Sequence, residues 1–100
     1  MRVIDHEPQS WFLLEADGEF YLDGRYSNSF VDYSFPMRLD AEEREAYERD
    51  GHGAVQRLYE CVQYTAPGVA ASRSPYVGRK VEPAVSEQMH RAIMAWKSMG

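Results

Sequence analysis

The sequence predicts an α+β protein with an antiparallel β-meander of three strands, or four, followed by two helical regions packed on the sheet. Two observations carry this prediction. Apolar residues alternate with polar ones and are separated by turn residues over positions 1–39, which is typical of strands. Apolar residues then recur every three or four positions over 40–66 and again over 83–99, which is typical of helices. The 100 residues suffice for one domain, 1–100, and leave no room for a second core.

The first hairpin is predicted at Asp17 and Gly18, which separate two strand-like apolar runs. Both residue types tolerate positive φ, so the pair fits the type I′ turn of a two-residue hairpin loop. Such a loop pairs Leu13 with Leu22. One face of the hairpin then carries Trp11, Leu13, Phe20 and Leu22. The opposite face carries Phe12, Leu14, Tyr21 and, depending on the register, Tyr26 or Phe30.

The rest of the meander follows from turn residues and alternation. A second turn is predicted to begin at Asp23 and Gly24, and a third strand is predicted within 28–39. The odd-numbered positions of that segment are apolar from 31 onward, as in a half-buried antiparallel strand. Pro36 has no N–H to donate, so we expect this strand at the sheet edge or with a bulge. Residues 2–5 are a candidate for a fourth strand.

The helical region 40–66 begins with a capping signal. The Asp40 carboxylate can accept from free backbone N–H groups, and Glu43 can reach back to the cap residue. Poor helix formers at 51–53 interrupt the apolar spacing. Two interpretations remain open: one long helix in which Gly51 permits close packing, or two helices with a break near 51–53. We favour the break.

A loop over 67–82 and a last helix over 83–99 complete the chain. Pro83 fits the first helical turn, because a backbone N–H there would have no hydrogen-bond acceptor within the helix. The apolar stripe of this helix consists of Val85, Met89, Ile93 and Trp96. We expect the helices over one face of the sheet, and the competing interpretation is a helix over each face.

Charge and composition limit the classes of function. The formal net charge is −5, with 14 acids and 6 bases in 1–60 and 2 acids and 5 bases in 61–100. The acidic first part disfavours nucleic acid as a partner, because phosphate contacts need clustered Lys and Arg. It favours a basic partner or serves solubility. We expect no membrane span and no signal peptide, and therefore a cytoplasmic protein, and nine Arg against two Lys suggest a bacterial one.

No catalytic, metal or cofactor motif stands out. The single cysteine, Cys61, excludes an internal disulfide and is expected on the core side of its helix. The three histidines have no metal-ligand spacing and are expected at the surface, with His52 in a flexible turn between glycines. Asp5 and Glu7 share a strand face, yet nothing in the sequence marks them as a catalytic pair. We therefore predict no catalytic residues, no metal site and no cofactor.

The first functional hypothesis is a non-enzymatic protein-binding module. Phe12, Leu14 and Tyr21 form an aromatic and apolar sheet face of the kind that occurs at protein interfaces. An inhibitor, an immunity-like or a regulatory protein has this acidic profile, because opposite fields speed the encounter with a basic partner. A homodimer through the same face is the simplest version.

The alternative hypothesis is a small anionic-ligand binder or a hydrolytic enzyme. The loop residues Arg73, Ser74, Arg79 and Lys80, with His90 nearby, could hold an anion. A structural interpretation competes with it: a connecting loop that is anchored by Tyr76 and attracted to the acidic half. Whether the protein is an enzyme stays open, and the sequence favours one that is not.

Overall fold

The computed structural model describes residues 1–28, 31–67 and 72–99, without the side chains of residues 28 and 31. It contains a four-stranded antiparallel meander in the order β1-β2-β3-β4 and helices packed on it, which confirms the predicted α+β class. Within the described part of the chain, no helix is both long and apolar enough for a membrane crossing. The elements are β1 Arg2–Glu7, β2 Trp11–Ala16, β3 Glu19–Asn28, β4 Val31–Arg38, α1 Ala41–Asp50, α2 His52–Thr65 and α3 Pro83–Met99.

The first hairpin forms as predicted. Asp17 and Gly18 have φ values of 53° and 81°, the left-handed conformations that a type I′ turn requires. Leu13 pairs with Leu22, which is the predicted register. The alternation of side chains across this hairpin therefore follows the sequence pattern.

The predicted second turn at Asp23 and Gly24 is wrong. Strand β3 continues through both residues as far as Asn28, and Gly24 pairs with Trp11 on one side. The ring of Tyr26 lies over Gly24, where a Cβ atom would collide with it. Glycine is therefore present to receive an aromatic ring within a strand and does not mark a turn. The predicted third strand is β4, and the residues between β3 and β4, including Phe30, lie outside the described part.

The continuity of β3 also decides the position of Tyr26. Because alternate residues of one strand share a face, Tyr26 lies with Leu22 and not with Phe12 and Tyr21. Of the two alternatives for the second face, Tyr26 or Phe30, the placement of Tyr26 is therefore wrong.

The two edge strands of the sheet, β1 and β4, are those that the sequence predicted as a possible fourth strand and as a strand at the edge or with a bulge. The optional fourth strand is present as β1 and is longer than the predicted 2–5 segment. Strand β4 is the other edge, which accommodates Pro36. Beside it, the backbone N–H of Val81 donates to the carbonyl oxygen of Pro36 at 2.9 Å, and Lys80 forms an isolated bridge with Met37.

The helical region begins and breaks as predicted. The Asp40 carboxylate accepts from the backbone N–H of Glu43, and the Glu43 carboxylate accepts from the backbone N–H of Asp40, at 2.8 and 2.9 Å. Gly51 has φ 70° and ψ −141°, a conformation that strains any residue with a Cβ, and it separates α1 from α2. The interpretation as two helices is therefore confirmed.

The helices cover both faces of the sheet, so the expectation of a single covered face is wrong. Strand β2 is apolar on both sides, with Leu13 and Leu14 both fully buried, and each side needs its own cover. Helix α2 covers the first face, where the buried cluster is Trp11, Leu13, Leu22, Tyr26, Phe35, Met37, Leu39, Val55 and Val62. Helix α3 covers the opposite face, where the buried cluster is Leu14, Met89 and Ile93.

Cys61 is exposed, and the expectation of a core cysteine is wrong. Helix α2 begins after the break and turns Val55 and Val62 fully toward the sheet. Cys61 lies about 100° around the helix from Val62 and so points away from that stripe.

Candidate ligand pocket beside helix α3

The face that the sequence predicts for a protein partner lies largely under α3. Leu14 is fully buried against Met89 and Ile93. Phe12 and Tyr21 are partly buried around the same cluster. Leu14 is therefore inaccessible while α3 is in place, and of the three residues only the uncovered parts of the two aromatic rings are open to a partner. The partner-binding role of these residues stays a prediction.

Two residues of the basic loop have structural partners. The Arg79 guanidinium donates to both Glu43 carboxylate oxygens at 2.6 and 2.8 Å, and its carbon lies 5.6 Å from the centre of the Tyr76 ring. Ser74 is nearly buried, and its hydroxyl donates to Oγ1 of Thr65 at 2.7 Å. These contacts favour the interpretation of a connecting loop that is anchored by Tyr76 and attached to the acidic half.

The remaining candidates of that loop lie apart from each other. Arg73 and Lys80 are exposed. Lys80 lines one shallow depression with Arg79 and another with His90. No pocket found among the described residues contains all five predicted anion-binding residues. Of the five, His90 belongs to a further pocket that the sequence did not predict.

This further pocket, which we call the α3 pocket, lies between α3 and the sheet and has a volume of about 280 Å³. It forms because the uncovered part of the sheet beside α3 carries polar side chains, among them the exposed Arg25 and Ser34. Its sheet side includes Phe12, Asp23, Arg25 and Ser34. Its helix side consists of His90, Ile93, Met94 and Lys97. Trp11 also lines it.

Asp23 is the unusual group of the α3 pocket. Burial raises the pKa of its carboxyl group above the ordinary range, and the positive charges of His90, Arg25 and Lys97 oppose that rise. In the described part of the chain, no basic nitrogen lies within 4.0 Å of this carboxylate, and no hydrogen bond reaches it. The carboxylate is therefore partly dehydrated and faces the pocket without a protein partner.

Register and helical spacing position these groups. Asp23 pairs with Phe12 on one side and with Pro36 on the other, so its strand neighbours are apolar and exclude water from it. On α3, His90 and Lys97 are seven residues apart and therefore share a face. The Lys97 ammonium lies 5.6 Å from the centre of the Phe12 ring. An apolar floor and several polar groups thus meet in one small cavity.

Sequence reasoning missed Asp23 because it assigned this residue to a turn. The helical spacing does predict one shared face with basic residues at both ends, formed by His90, Ile93, Met94 and Lys97. No local pattern could show that this face lies beside Asp23, because Asp23 and His90 are 67 positions apart in the chain.

A second polar cluster surrounds His52. Its Nδ1 lies 3.0 Å from Asp5 Oδ1, and its Nε2 lies 3.0 Å from Glu7 Oε2. The hydrogen bond to Asp5 is the largest cause that raises the pKa of His52, and Glu7 adds to it. Asp5 and Glu7 share a strand face as predicted, whereas His52 is held by two carboxylates and is not in a flexible turn.

The His52 cluster offers no ring nitrogen for catalysis or metal binding, because each one already has a carboxylate partner. Over residues 1–28, 31–67 and 72–99, no group of three or more His, Cys, Asp or Glu side chains is arranged to hold a metal ion. The cluster is therefore a structural contact between β1 and α2, and the α3 pocket is the better candidate site.

We compared the chain with protein-family models, with curated proteins and with solved structures, and none of them matches it. The arguments for a function therefore rest on the geometry of the site.

Proposed function

We propose that the protein binds a small organic molecule in the α3 pocket. The observation that carries this proposal is Asp23, a carboxylate that is dehydrated by its neighbours, has no protein partner among the described residues and faces a cavity. Dehydrating an ionised carboxylate without a partner destabilises a fold. Groups with pKa values raised in this way concentrate at functional sites, because a ligand can supply the missing partner.

The size and lining of the pocket support a small ligand. A volume of about 280 Å³ is just below the range for small-molecule sites, roughly 300–1,000 Å³, and so suits a small ligand. Phe12, Ile93 and Met94 provide apolar walls, and Asp23 and Ser34 provide polar groups that can fix an orientation. This combination suits a molecule with one ring or short chain and a hydrogen-bonding group.

Benzyl alcohol tests the proposal, because its ring matches the apolar walls and its hydroxyl can donate to Asp23. We expect titration with benzyl alcohol to shift the backbone amide NMR signals of the pocket residues in a saturable way. The variant Met94→Trp should abolish these shifts, since the larger ring fills the pocket from a half-exposed position.

Met99→Trp is the matched control, because Met99 is exposed on the same helix and does not line the α3 pocket. It should bind benzyl alcohol like the parent protein. Shifts that survive in Met94→Trp would refute binding at this place, and so would a parent protein whose pocket signals move with neither benzyl alcohol nor its charged analogues benzenesulfonate and benzylamine.

A further inference from the structure

The basic residues of this acidic protein are mostly paired with carboxylates. Seven of its nine arginines lie within 4.0 Å of an acidic side chain. They are Arg2, Arg38, Arg44, Arg49, Arg57, Arg79 and Arg91. Within the described ranges, four cations have no such partner, although the formal net charge is −5: Arg25, Arg73, Lys80 and Lys97.

Two of these four unpaired cations, Arg25 and Lys97, line the same cavity. Arg25 reaches the α3 pocket from β3 and Lys97 from α3, and both influence Asp23 across it. With Asp23 ionised, the charges of Arg25, Lys97 and Asp23 add to one net positive charge in the pocket. With Asp23 protonated, it carries two. A negatively charged group therefore finds a favourable potential there in either state, and a cation does not.

We infer that the ligand of the α3 pocket is a small organic oxyanion, with its charged group between Arg25 and Lys97 and its apolar part against Ile93 and Met94. This inference rests on the proposed function and specifies the class of ligand. Sulfonates, carboxylates and phosphate monoesters share the oxygens that Arg and Lys bind through charge-assisted hydrogen bonds.

Asp23 adds a pH dependence to this recognition. Its ionised form repels an anion, whereas its protonated form can donate a hydrogen bond to the ligand oxygen. Because burial already raises its pKa, protonation begins at a higher pH than for an exposed aspartate. Affinity for a permanent anion therefore increases as the pH falls through the pKa of Asp23.

Three probes with one ring and different charges test the inference: benzenesulfonate, benzyl alcohol and benzylamine. We expect NMR titrations at neutral pH to give the order benzenesulfonate, benzyl alcohol, benzylamine from tightest to weakest. Lys97→Gln and Arg25→Gln should each weaken benzenesulfonate about tenfold, as loss of a charge-assisted hydrogen bond implies, and should weaken it more than benzyl alcohol. Both residues are exposed, so neither change disturbs a core.

Lys80→Gln and Arg73→Gln are the matched controls, because both residues are exposed cations outside the α3 pocket. They should bind benzenesulfonate like the parent protein. Asp23→Asn should tighten benzenesulfonate at neutral pH and remove the contribution of Asp23 to the pH dependence of its affinity.

The outcomes separate this inference from the proposed function. If benzyl alcohol binds in the pocket while benzylamine equals or exceeds benzenesulfonate, the oxyanion inference is wrong and the proposed function stands. If Lys97→Gln and Arg25→Gln bind benzenesulfonate as tightly as the parent protein, the inference is also wrong. If none of the three probes reaches the pocket, the proposed function fails and the inference fails with it.

Discussion

His52 shows how one residue can join two elements that are distant in the chain. It is the first residue of α2, and its ring lies between Asp5 and Glu7 of the edge strand β1. The same ring lies 4.8 Å from that of Trp11, measured between centres. The two carboxylates also lie near the start of a helix that has no side-chain cap, where negative charge is favourable.

The stability of the protein should decrease with rising pH because of His52. The pKa of the folded state lies above the ordinary value of 6.5, so the stabilisation is complete below that value and is lost as the pH rises through the folded pKa. We expect a loss of less than about 1 kcal/mol, since water screens this half-exposed pair. Urea unfolding on either side of neutral pH measures it.

His52→Gln should remove this part of the pH dependence, because it removes the group that titrates between Asp5 and Glu7. Equal pH profiles for the parent protein and His52→Gln would contradict the prediction.

Substitution by alanine should have opposite effects on stability at Gly24 and at Gly53. At Gly24, an added Cβ would displace the Tyr26 ring from the core, and overpacking of this kind costs about 1–3 kcal/mol. At Gly53, an added Cβ meets only the flexible end of Arg57, at 3.5 Å. Alanine there should stabilise the helix by up to about 1 kcal/mol.

Thermal unfolding of Gly24→Ala and Gly53→Ala tests this pair. The first variant should melt below the parent protein and the second above it. A Gly24→Ala protein that melts with or above the parent protein would show that the Tyr26 ring is not held over Gly24.

At the scale of elements, the start of α1 is fixed by a residue from another part of the chain. Arg79 holds the Glu43 carboxylate of the capping box and also donates to the carbonyl oxygen of Arg38 at 2.8 Å. One side chain thus connects the 72–82 segment, the end of β4 and the first turn of α1. This contact explains why a loop rich in bases lies beside an acidic helix.

Arg79→Gln should destabilise the protein by about 1–3 kcal/mol, because it leaves a partly buried Glu43 without its cation. Arg73→Gln, an exposed residue of the same segment, should change stability by less than about 0.5 kcal/mol. Urea unfolding compares the two, and faster amide hydrogen exchange in the first turn of α1 should accompany the loss. Equal stability of the two variants would contradict the prediction.

Elements whose signals are local were predictable from the sequence. The Asp17 and Gly18 turn and the Asp40 capping box each depend on residues within four positions of each other, so both can be predicted from a short stretch of sequence. Gly24 was wrongly assigned to a turn, because glycine is needed there for the packing of the Tyr26 ring. A glycine that permits a turn and a glycine that receives a ring look alike in a sequence.

At the scale of the whole molecule, the sequence predicted helices packed on a sheet, but it did not predict which helix covers which face. The apolar side chains on both sides of β2 require cover on two faces, as one of the two interpretations from the sequence allowed. No local pattern in the sequence indicates which helix covers which face. The α3 pocket exists only because α3 crosses the sheet beside Asp23, and no local pattern encodes that placement.

The side chain of Trp11 contacts helix α2. Its ring lies beside His52, its indole N–H donates to Oε1 of Gln56 at 2.8 Å, and the residue also lines the α3 pocket. With Trp96 replaced by Phe, Trp11 would be the sole indole chromophore of the protein. Its emission would then respond to the charge on the neighbouring imidazole, so the chain carries its own optical reporter of the His52 titration.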